Sequence, residues 1–191
     1  MLSHGRRSRV GLFVLVLALL LVQQASAAGP ESRPAAVKPE SPPHGSGSAK
    51  SQQAILETDR GLLTIELFPD TAPKTVTRFT ELVKRGFYNG LSFYRVLPKF
   101  LVQTGDPSGE GTGGSGQNLP AEFNERKHVV GTVGMARRHD PDSADSQFYI
   151  CLEPQPFLDG KYTVFGQVID GLETLSKIQE RDTVRKLSLK P

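Results

Sequence analysis

The sequence is poor in the residues that carry most metal and thiol chemistry. It contains one cysteine, Cys151, and no tryptophan among 191 residues. A single cysteine cannot form an intrachain disulfide, and it excludes the paired spacing of a cysteine zinc site. Cys151 lies in the apolar stretch QFYICL, which is typical of a buried strand. We therefore interpret it as a small core residue, with a reactive thiol as the alternative.

Motifs for nucleophilic and phosphate chemistry are also missing. His44, His128 and His139 lie far apart and lack metal-ligand spacing, and no serine lies in a nucleophile elbow. The glycine-rich stretch GEGTGGSG is not followed by the Lys-Ser/Thr pair and helix of a phosphate loop. The sequence thus predicts no cofactor.

A cluster of three aspartates resembles a calcium loop only in part. Asp140, Asp142 and Asp145 lie close together in sequence, as calcium ligands do. However, the sixth position of such a loop would be Asp145 instead of glycine, and the twelfth would be Cys151 instead of glutamate. We therefore predict no metal site.

The charge of the chain gives no sign of a nucleic-acid partner. The whole sequence has 23 basic and 20 acidic residues, a net charge of +3. Residues 1–27 hold three arginines and no acidic residue. Residues 28–191 therefore contain 20 basic and 20 acidic residues, a net charge of about zero. They contain no basic stripe, and nucleic acid is not an expected partner.

The first 27 residues have the order of a secretory signal peptide. Arg6, Arg7 and Arg9 precede the apolar run Val10–Val22, and Ala25-Ser26-Ala27 supplies the small residues of a cleavage site. The run of 13 residues is short for a membrane span. We expect an exported protein, periplasmic or secreted, without stable membrane insertion after cleavage; an uncleaved anchor is the alternative.

Composition divides the rest of the chain into a linker and one domain. Residues 28–51 contain five prolines with Ser, Gly and Ala and few large apolar residues, which predicts a linker. Residues 52–191 are numerous enough for one domain with a sizeable core. We expect this domain to be a monomer.

Periodicity predicts about eight strands and two helices. Strand alternation occurs in AILETDRGLLTIELF (a hairpin), SFYRVL, FLVQTG, VVGTVGMA, SQFYICL, KYTVFGQVI and TVRKLSLK. One helix is expected from Pro73 to about Gly86. A second is expected in GLETLSKIQE, with Leu172, Leu175 and Ile178 on one face. These elements predict a closed antiparallel barrel.

Two neighbouring strands each carry a long polar side chain. In SFYRVL, alternation places Arg95 on the face of Phe93, and in FLVQTG it places Gln103 on the face of Leu101. On adjacent strands, the Gln103 carbonyl could accept a hydrogen bond from the guanidinium and fix its orientation. The pattern alone favours the alternative that both side chains face water.

The order of motifs is similar to that of the cyclophilin family of peptidyl-prolyl cis-trans isomerases. The similar stretches, covering nearly all of residues 54–180, are TAPKTVTRF, FYRVLPKFLVQTGD, GTGG, VGTVGMA, SQFYI and FLDGKYTVFGQV. The resemblance implies an eight-stranded antiparallel barrel capped by two helices, and it is strongest to bacterial exported members. It also implies isomerisation of X-Pro bonds in proline-containing peptides and unfolded exported proteins, without metal or cofactor.

The resemblance further implies roles for individual residues. Arg95 is expected to be catalytic and Gln103 to position it. The residues expected to bind substrate are Phe100, Leu101, Ala136, Arg137, Gln147, Tyr149, Phe157, Leu158 and Tyr162. The backbone of Ala136 and Arg137 should pair with the residue that precedes the proline.

Several positions differ from the best-known eukaryotic members. Phe157 replaces a usual tryptophan, Tyr162 a histidine, Arg137 an asparagine and Leu101 a methionine. Activity should survive these changes, whereas cyclosporin affinity should suffer because Phe157 has no N–H donor. Two other classes are compatible with the same residues, namely a proline-peptide binding module without turnover and a tethered scaffold. Chaperone-like holding of unfolded chains could accompany isomerisation.

Overall fold

The first strands form the hairpin that the alternation predicts. A computed structural model describes residues 52–191 of the chain, so the predicted signal peptide and linker lie outside the described residues. Strands β1 (Gln53–Thr58) and β2 (Gly61–Leu67) pair antiparallel. Gly61 adopts a φ of 133°, which a side chain would strain, so this glycine allows the tight turn.

Helix α1 (Pro73–Lys84) begins with a proline at its first turn, as predicted. Its N-cap residue, Ala72, has no side-chain acceptor. The carboxylate of Glu122 accepts hydrogen bonds from the first N–H groups instead, at 2.9 Å from Lys74 and 2.8 Å from Thr75. The apolar face of the helix is buried against the sheet by Val76, Phe79, Leu82 and Val83.

The remaining strands complete one eight-stranded antiparallel sheet. They are β3 (Arg95–Leu97), β4 (Leu101–Thr104), β5 (Thr132–Met135), β6 (Phe148–Cys151), β7 (Val164–Asp170) and β8 (Val184–Leu189). The strand order is β3-β4-β6-β5-β7-β2-β1-β8, so the first strand pairs with the last, with Ala54 opposite Leu189.

The sheet curls into a half-barrel and stays open between β3 and β8. Closure of the barrel, which the sequence predicts, is therefore not confirmed. A bridge between Ser92 and Thr183 and the hydrogen bond from the Phe93 N–H to the Asp182 carbonyl (2.8 Å) join the chain near the two edges.

The second helix is shorter than predicted. Helix α2 extends only over Leu172–Leu175, and the chain continues in turns to Arg181, which has a φ of 73°. The prediction that three apolar residues share a helical face is wrong for this reason. Leu175 and Ile178 are buried, whereas Leu172 is 43% exposed.

The two faces of the central strands bury different groups. Val102, Val133 and Ile150 point into the half-barrel and are fully buried in the main core. Leu101 and Tyr149 point outward and belong to a separate apolar cluster. Within residues 52–191, no helix combines the length and the apolar character needed to cross a membrane.

Candidate active site

Arg95 and Gln103 meet on the outer face of the sheet. They are register partners in the β3–β4 ladder, and the Arg95 Nη1 donates to Gln103 Oε1 at 3.2 Å. Arg95 is exposed, whereas Gln103 is 7% exposed. The guanidinium is thus held by a buried amide while its other N–H donors remain open to solvent.

The prediction that Arg95 shares a face with Phe93 is wrong. Phe93 is fully buried in the main core, on the opposite side of the sheet from Arg95. The reason is that the strand begins only at Arg95, and the two residues before it lack strand geometry. Simple alternation therefore fails across this break. The placement of Gln103 with Leu101 on one outward face is correct.

A polar network extends from Gln103 to a second glutamine. The Gln103 Nε2 donates to the Tyr94 hydroxyl and to Gln147 Oε1, the latter at 3.1 Å, and the Tyr94 hydroxyl donates to Gln147 Oε1. Burial raises the pKa of Tyr94 to about 12, so its hydroxyl stays protonated at neutral pH. Tyr94 is a site residue that sequence reasoning missed, although it directly precedes Arg95.

The glycine-rich loop holds the far end of this network. Gln147 Nε2 donates to the carbonyls of Gly111 (3.1 Å) and Gly113 (2.7 Å). The loop in turn wraps around the carboxylate of Asp106, which is 1% exposed and accepts hydrogen bonds from the N–H groups of Ser108 (2.8 Å) and Gly111. A Cβ on Gly113 would overlap the Asp106 carboxylate, which explains the glycine at that position.

The electrostatics of Asp106 favour its charged form. Burial alone would raise the pKa of this carboxyl, but the hydrogen bonds from the Ser108 side chain and from the loop N–H groups outweigh burial and lower the pKa. GEGTGGSG is therefore a loop that packs around a protein carboxylate, and sequence reasoning did not identify this partner.

An apolar cluster, called the pocket below, lies beside Arg95 and Gln103 on the outer face of the sheet. Leu101, Tyr149, Leu158 and Cys151 form its buried part. Phe100, Ala136 and Tyr162 pack against them and are partly exposed. Six of the predicted substrate-binding residues are thus in one cluster outside the main core, an arrangement suited to a small apolar ring.

Two further predicted residues lie at the edge of this pocket. Phe157 is 58% exposed and stacks on Phe100, with ring centroids 5.8 Å apart. The Arg137 guanidinium lies 4.6 Å from the centre of the Tyr162 ring, and its Nη2 donates to the Lys161 carbonyl at 3.0 Å. An exposed aromatic side chain beside a pocket is typical of a binding surface.

The backbone at one edge of the pocket has unpaired groups. The Ala136 N–H donates to the Gln147 carbonyl at 2.9 Å. Within the described range, 52–191, the Ala136 carbonyl and the backbone N–H and carbonyl of Arg137 make no hydrogen bond. An extended peptide could pair with these groups as a strand would.

Cys151 forms part of the pocket floor and is fully buried. Burial, followed by the nearby charge of Asp159, raises the pKa of its thiol to about 12. The thiol is therefore protonated at neutral pH and packs as a small apolar group, in agreement with the interpretation from sequence.

A fixed guanidinium, an apolar cluster with partly exposed aromatic rings and unpaired backbone groups lie side by side. This arrangement is typical of proteins that bind extended peptides.

Comparison with known proteins specifies the class further. Residues 54–190 match the family model of cyclophilin-type peptidyl-prolyl cis-trans isomerases. A peptidyl-prolyl cis-trans isomerase from Synechococcus elongatus is 47% identical over 139 residues, which cover 72% of this chain and 94% of the relative. A probable peptidyl-prolyl cis-trans isomerase from Brucella suis is 40% identical over 191 residues, covering 94% of this chain and 87% of the relative.

Solved structures agree with this assignment. The crystal structure of a Cryptosporidium parvum cyclophilin-type isomerase has a TM-score of 0.70 and 30% identity, covering 74% of this chain and 98% of that one. The chain therefore belongs to the cyclophilin family, and it is a cyclophilin-type peptidyl-prolyl cis-trans isomerase.

Proposed function

We propose that the chain accelerates X-Pro rotation in unfolded exported proteins, and that Arg95 stabilises the twisted amide. The observation that carries this proposal is the fixed guanidinium of Arg95 beside an apolar pocket. The arginine donates to the buried Gln103 at 3.2 Å and keeps other donors free. Assistance to protein folding follows from such an activity, because X-Pro exchange takes tens to hundreds of seconds without a catalyst.

The mechanism needs no bond to form or break. Rotation about the X-Pro amide breaks its conjugation, and the barrier is roughly 18–20 kcal/mol. In the twisted state the proline nitrogen has a localised lone pair, which can accept a hydrogen bond from the Arg95 guanidinium. Planar amides offer no such acceptor, so the interaction is stronger in the transition state and lowers the barrier.

The apolar pocket holds the proline ring while the preceding carbonyl rotates. Phe100, Leu101 and Leu158 supply its apolar walls, and Tyr149 its floor. Exclusion of water from this surface also strengthens the electrostatic effect of Arg95. A crystal structure of the Cryptosporidium parvum cyclophilin, 30% identical, was determined in the presence of the dipeptide Ala-Pro, which supports a proline-containing substrate here.

The substrate backbone is fixed beside Ala136. The unpaired carbonyl of Ala136 and the backbone of Arg137 can pair with the residue before the proline, and Phe157 covers the outer side of the groove. Gln147 supports the site indirectly, since its amide groups bond to Gln103 and to the glycine-rich loop. Fixation of the substrate on one side of the X-Pro bond lets the other side rotate.

Export rests on the N-terminal segment. A basic start, the apolar run Val10–Val22 and Ala25-Ser26-Ala27 favour a signal peptide over a membrane anchor. Expression of the full chain in a Gram-negative host should yield a periplasmic protein whose mass corresponds to cleavage after residue 27. Leu17→Arg, which interrupts the apolar run, should abolish export. Recovery of the uncleaved chain in the membrane fraction would instead support the anchor.

The role of Arg95 can be tested by exchange kinetics on an Ala-Pro peptide. Arg95→Ala should lower kcat/KM by at least about tenfold, which corresponds to about 1.4 kcal/mol of lost transition-state stabilisation. Circular dichroism should remain unchanged, because Arg95 is exposed.

Arg185→Ala provides a matched control. Arg185 is also a strand arginine, but it lies in β8, away from the groove. Its Nε is 2.7 Å from Oδ1 of Asp59. Its replacement should leave kcat/KM within about twofold of the parent, since isolated surface pairs contribute little. Full activity of Arg95→Ala would contradict the mechanism. A parent protein that binds the peptide without turnover would indicate a binding module. A parent protein that neither binds proline peptides nor accelerates their isomerisation would indicate a scaffold.

A further inference from the structure

A hydrogen-bonded chain lies beneath the proline pocket, and two of its members, His128 and Asp159, have no part in the mechanism above. Tyr149 contributes its ring to the pocket, and its hydroxyl lies 2.8 Å from Nε2 of His128. The Nδ1 of His128 lies 2.9 Å from Oδ1 of Asp159. His128 is 2% exposed and Tyr149 is 3% exposed, so the contact between them is shielded from water.

The direction of each hydrogen bond is determined by Asp159. The carboxylate also accepts the backbone N–H of His128 at 2.8 Å and lies 3.5 Å from the ammonium of Lys127. Burial opposes ionisation, but the hydrogen bonds from His128 and the charge of Lys127 outweigh it and lower the pKa of Asp159. An ionised carboxylate only accepts, so Nδ1 carries the hydrogen, and in the neutral imidazole Nε2 then accepts from the Tyr149 hydroxyl.

Packing and the hydroxyl hydrogen bond together hold the Tyr149 ring. Gly134 is its register partner in β5, and a Cβ there would overlap the Tyr149 ring and hydroxyl. The ring therefore lies directly on the backbone of β5. Tyr162 contacts it edge-on, with centroids 6.1 Å apart. The hydroxyl end of the side chain, which lies against Gly134, donates its hydrogen bond to His128.

We infer that Asp159 and His128 are positioning residues that fix the Tyr149 ring as the floor of the proline pocket. This inference rests on the proposed role of Tyr149 in binding the proline ring. The floor contacts the ring in the cis, trans and twisted states alike, so its displacement weakens binding of all three states equally. Loss of the chain should therefore raise the peptide Kd and KM and leave kcat unchanged, in contrast to Arg95→Ala, which lowers kcat.

The test compares four variants by NMR titration with an Ala-Pro peptide and by exchange rates at saturating peptide. Tyr149→Phe and His128→Leu should each weaken the peptide Kd by about fivefold, the equivalent of one hydrogen bond, with kcat within about twofold of the parent. His128→Gln should restore binding to within about twofold, since its side-chain carbonyl can accept the hydroxyl. The double variant His128→Leu/Tyr149→Phe should lose less binding than the product of the two single losses, because both changes remove the same hydrogen bond.

Tyr88→Phe is the matched control for loss of a buried tyrosine hydroxyl. Tyr88 is 1% exposed in the main core, and its hydroxyl donates to the Ser146 carbonyl at 3.2 Å. This variant should lose stability without a change in peptide Kd. If His128→Leu does not fold, the peptide Kd of Tyr149→Phe alone tests the inference, because this variant removes one oxygen and retains the histidine.

Three results would overturn the inference. The first is an unchanged Kd in Tyr149→Phe, and the second is an additive loss in the double variant, which would show that His128 acts independently of Tyr149. Failure of the proposed function is distinguishable, because Arg95→Ala would then also retain full activity. A low kcat in His128→Leu at unchanged Kd would likewise contradict the positioning role.

Discussion

Phe148 and Tyr149 are neighbours in β6, both almost inaccessible to water, and they lie on opposite sides of the sheet. Phe148 points into the half-barrel and contacts the rings of Phe79, Tyr88 and Phe165. Tyr149 points outward into a small cluster that continues into exposed side chains such as Phe157. Low exposure thus does not distinguish a core residue from a site residue here. The difference is that the outer side combines its apolar groups with hydrogen-bonded polar chains, and the inner side is almost entirely apolar.

The largest expected effect comes from the inner side. Phe148→Ala should destabilise the domain by about 3–5 kcal/mol, because it removes a fully buried ring and leaves a cavity among three aromatic neighbours. Urea unfolding followed by circular dichroism measures this loss.

Phe100→Ala is the matched change on the outer side. Phe100 is only partly buried, so its removal should cost less than about 1 kcal/mol of stability, whereas kcat/KM should fall by about tenfold. Equal losses of stability in Phe148→Ala and Phe100→Ala would show that both sides of the sheet belong to the core. That result would contradict the distinction between an inner core side and an outer binding side.

A smaller effect is expected where the site depends on a buried carboxylate. Asp106→Asn replaces an oxygen that accepts hydrogen bonds from the glycine-rich loop with an N–H₂ donor. The free energy of unfolding should fall by about 1.5–3 kcal/mol, the range for hydrogen bonds to charged groups. Peptide turnover should fall as well, since the loop carbonyls of Gly111 and Gly113 hold Gln147.

The pH dependence of this effect has a definite sign. The folded-state pKa of Asp106 is lowered relative to its unfolded value of about 3.9. Its contribution to stability is therefore complete above that value and is lost as the pH falls through the folded pKa. Unfolding midpoints of the parent and Asp106→Asn should differ at pH 7 and converge below about pH 4. A constant difference between them over this range would contradict the charged role of Asp106.

The smallest effect is expected for the hydroxyl of Tyr94. Tyr94→Phe removes the group between Gln103 and Gln147 and keeps the ring. The direct hydrogen bond between the two glutamines, 3.1 Å, remains, so kcat/KM should fall only about two- to fivefold and stability by about 1 kcal/mol or less. Kinetics with the Ala-Pro peptide would detect this. A loss as large as that of Arg95→Ala would show that Tyr94 acts on the substrate directly.

Sequence reasoning predicted the elements whose signals are local. Strand alternation predicted eight strands, and Pro73 marked the start of α1, because both signals depend on neighbouring residues. It failed at Phe93, where the strand is broken for two residues, and at α2, where apolar spacing continued beyond the helix.

The site was predictable to the extent that its residues share motifs with the cyclophilin family. The structure brings all eleven predicted site residues onto one face, and their individual roles stay predictions. The supporting residues were not predictable, because the partners are distant in sequence. His128 and Asp159 are 31 residues apart, and Tyr94 and Gln147 are 53 apart. Local patterns do not contain such pairs, and a lone histidine without ligand spacing gave no signal.

The pairing of β1 with β8 determines when the fold can be finished. Ala54 lies opposite Leu189, and the Lys190 N–H donates to the Gln53 carbonyl at 2.8 Å. The outer edge of β1 is therefore covered only after β8 has been synthesised. Contacts this remote in sequence form late and slow folding. Until β8 has left the ribosome, β1 therefore keeps an uncovered edge and the sheet stays incomplete.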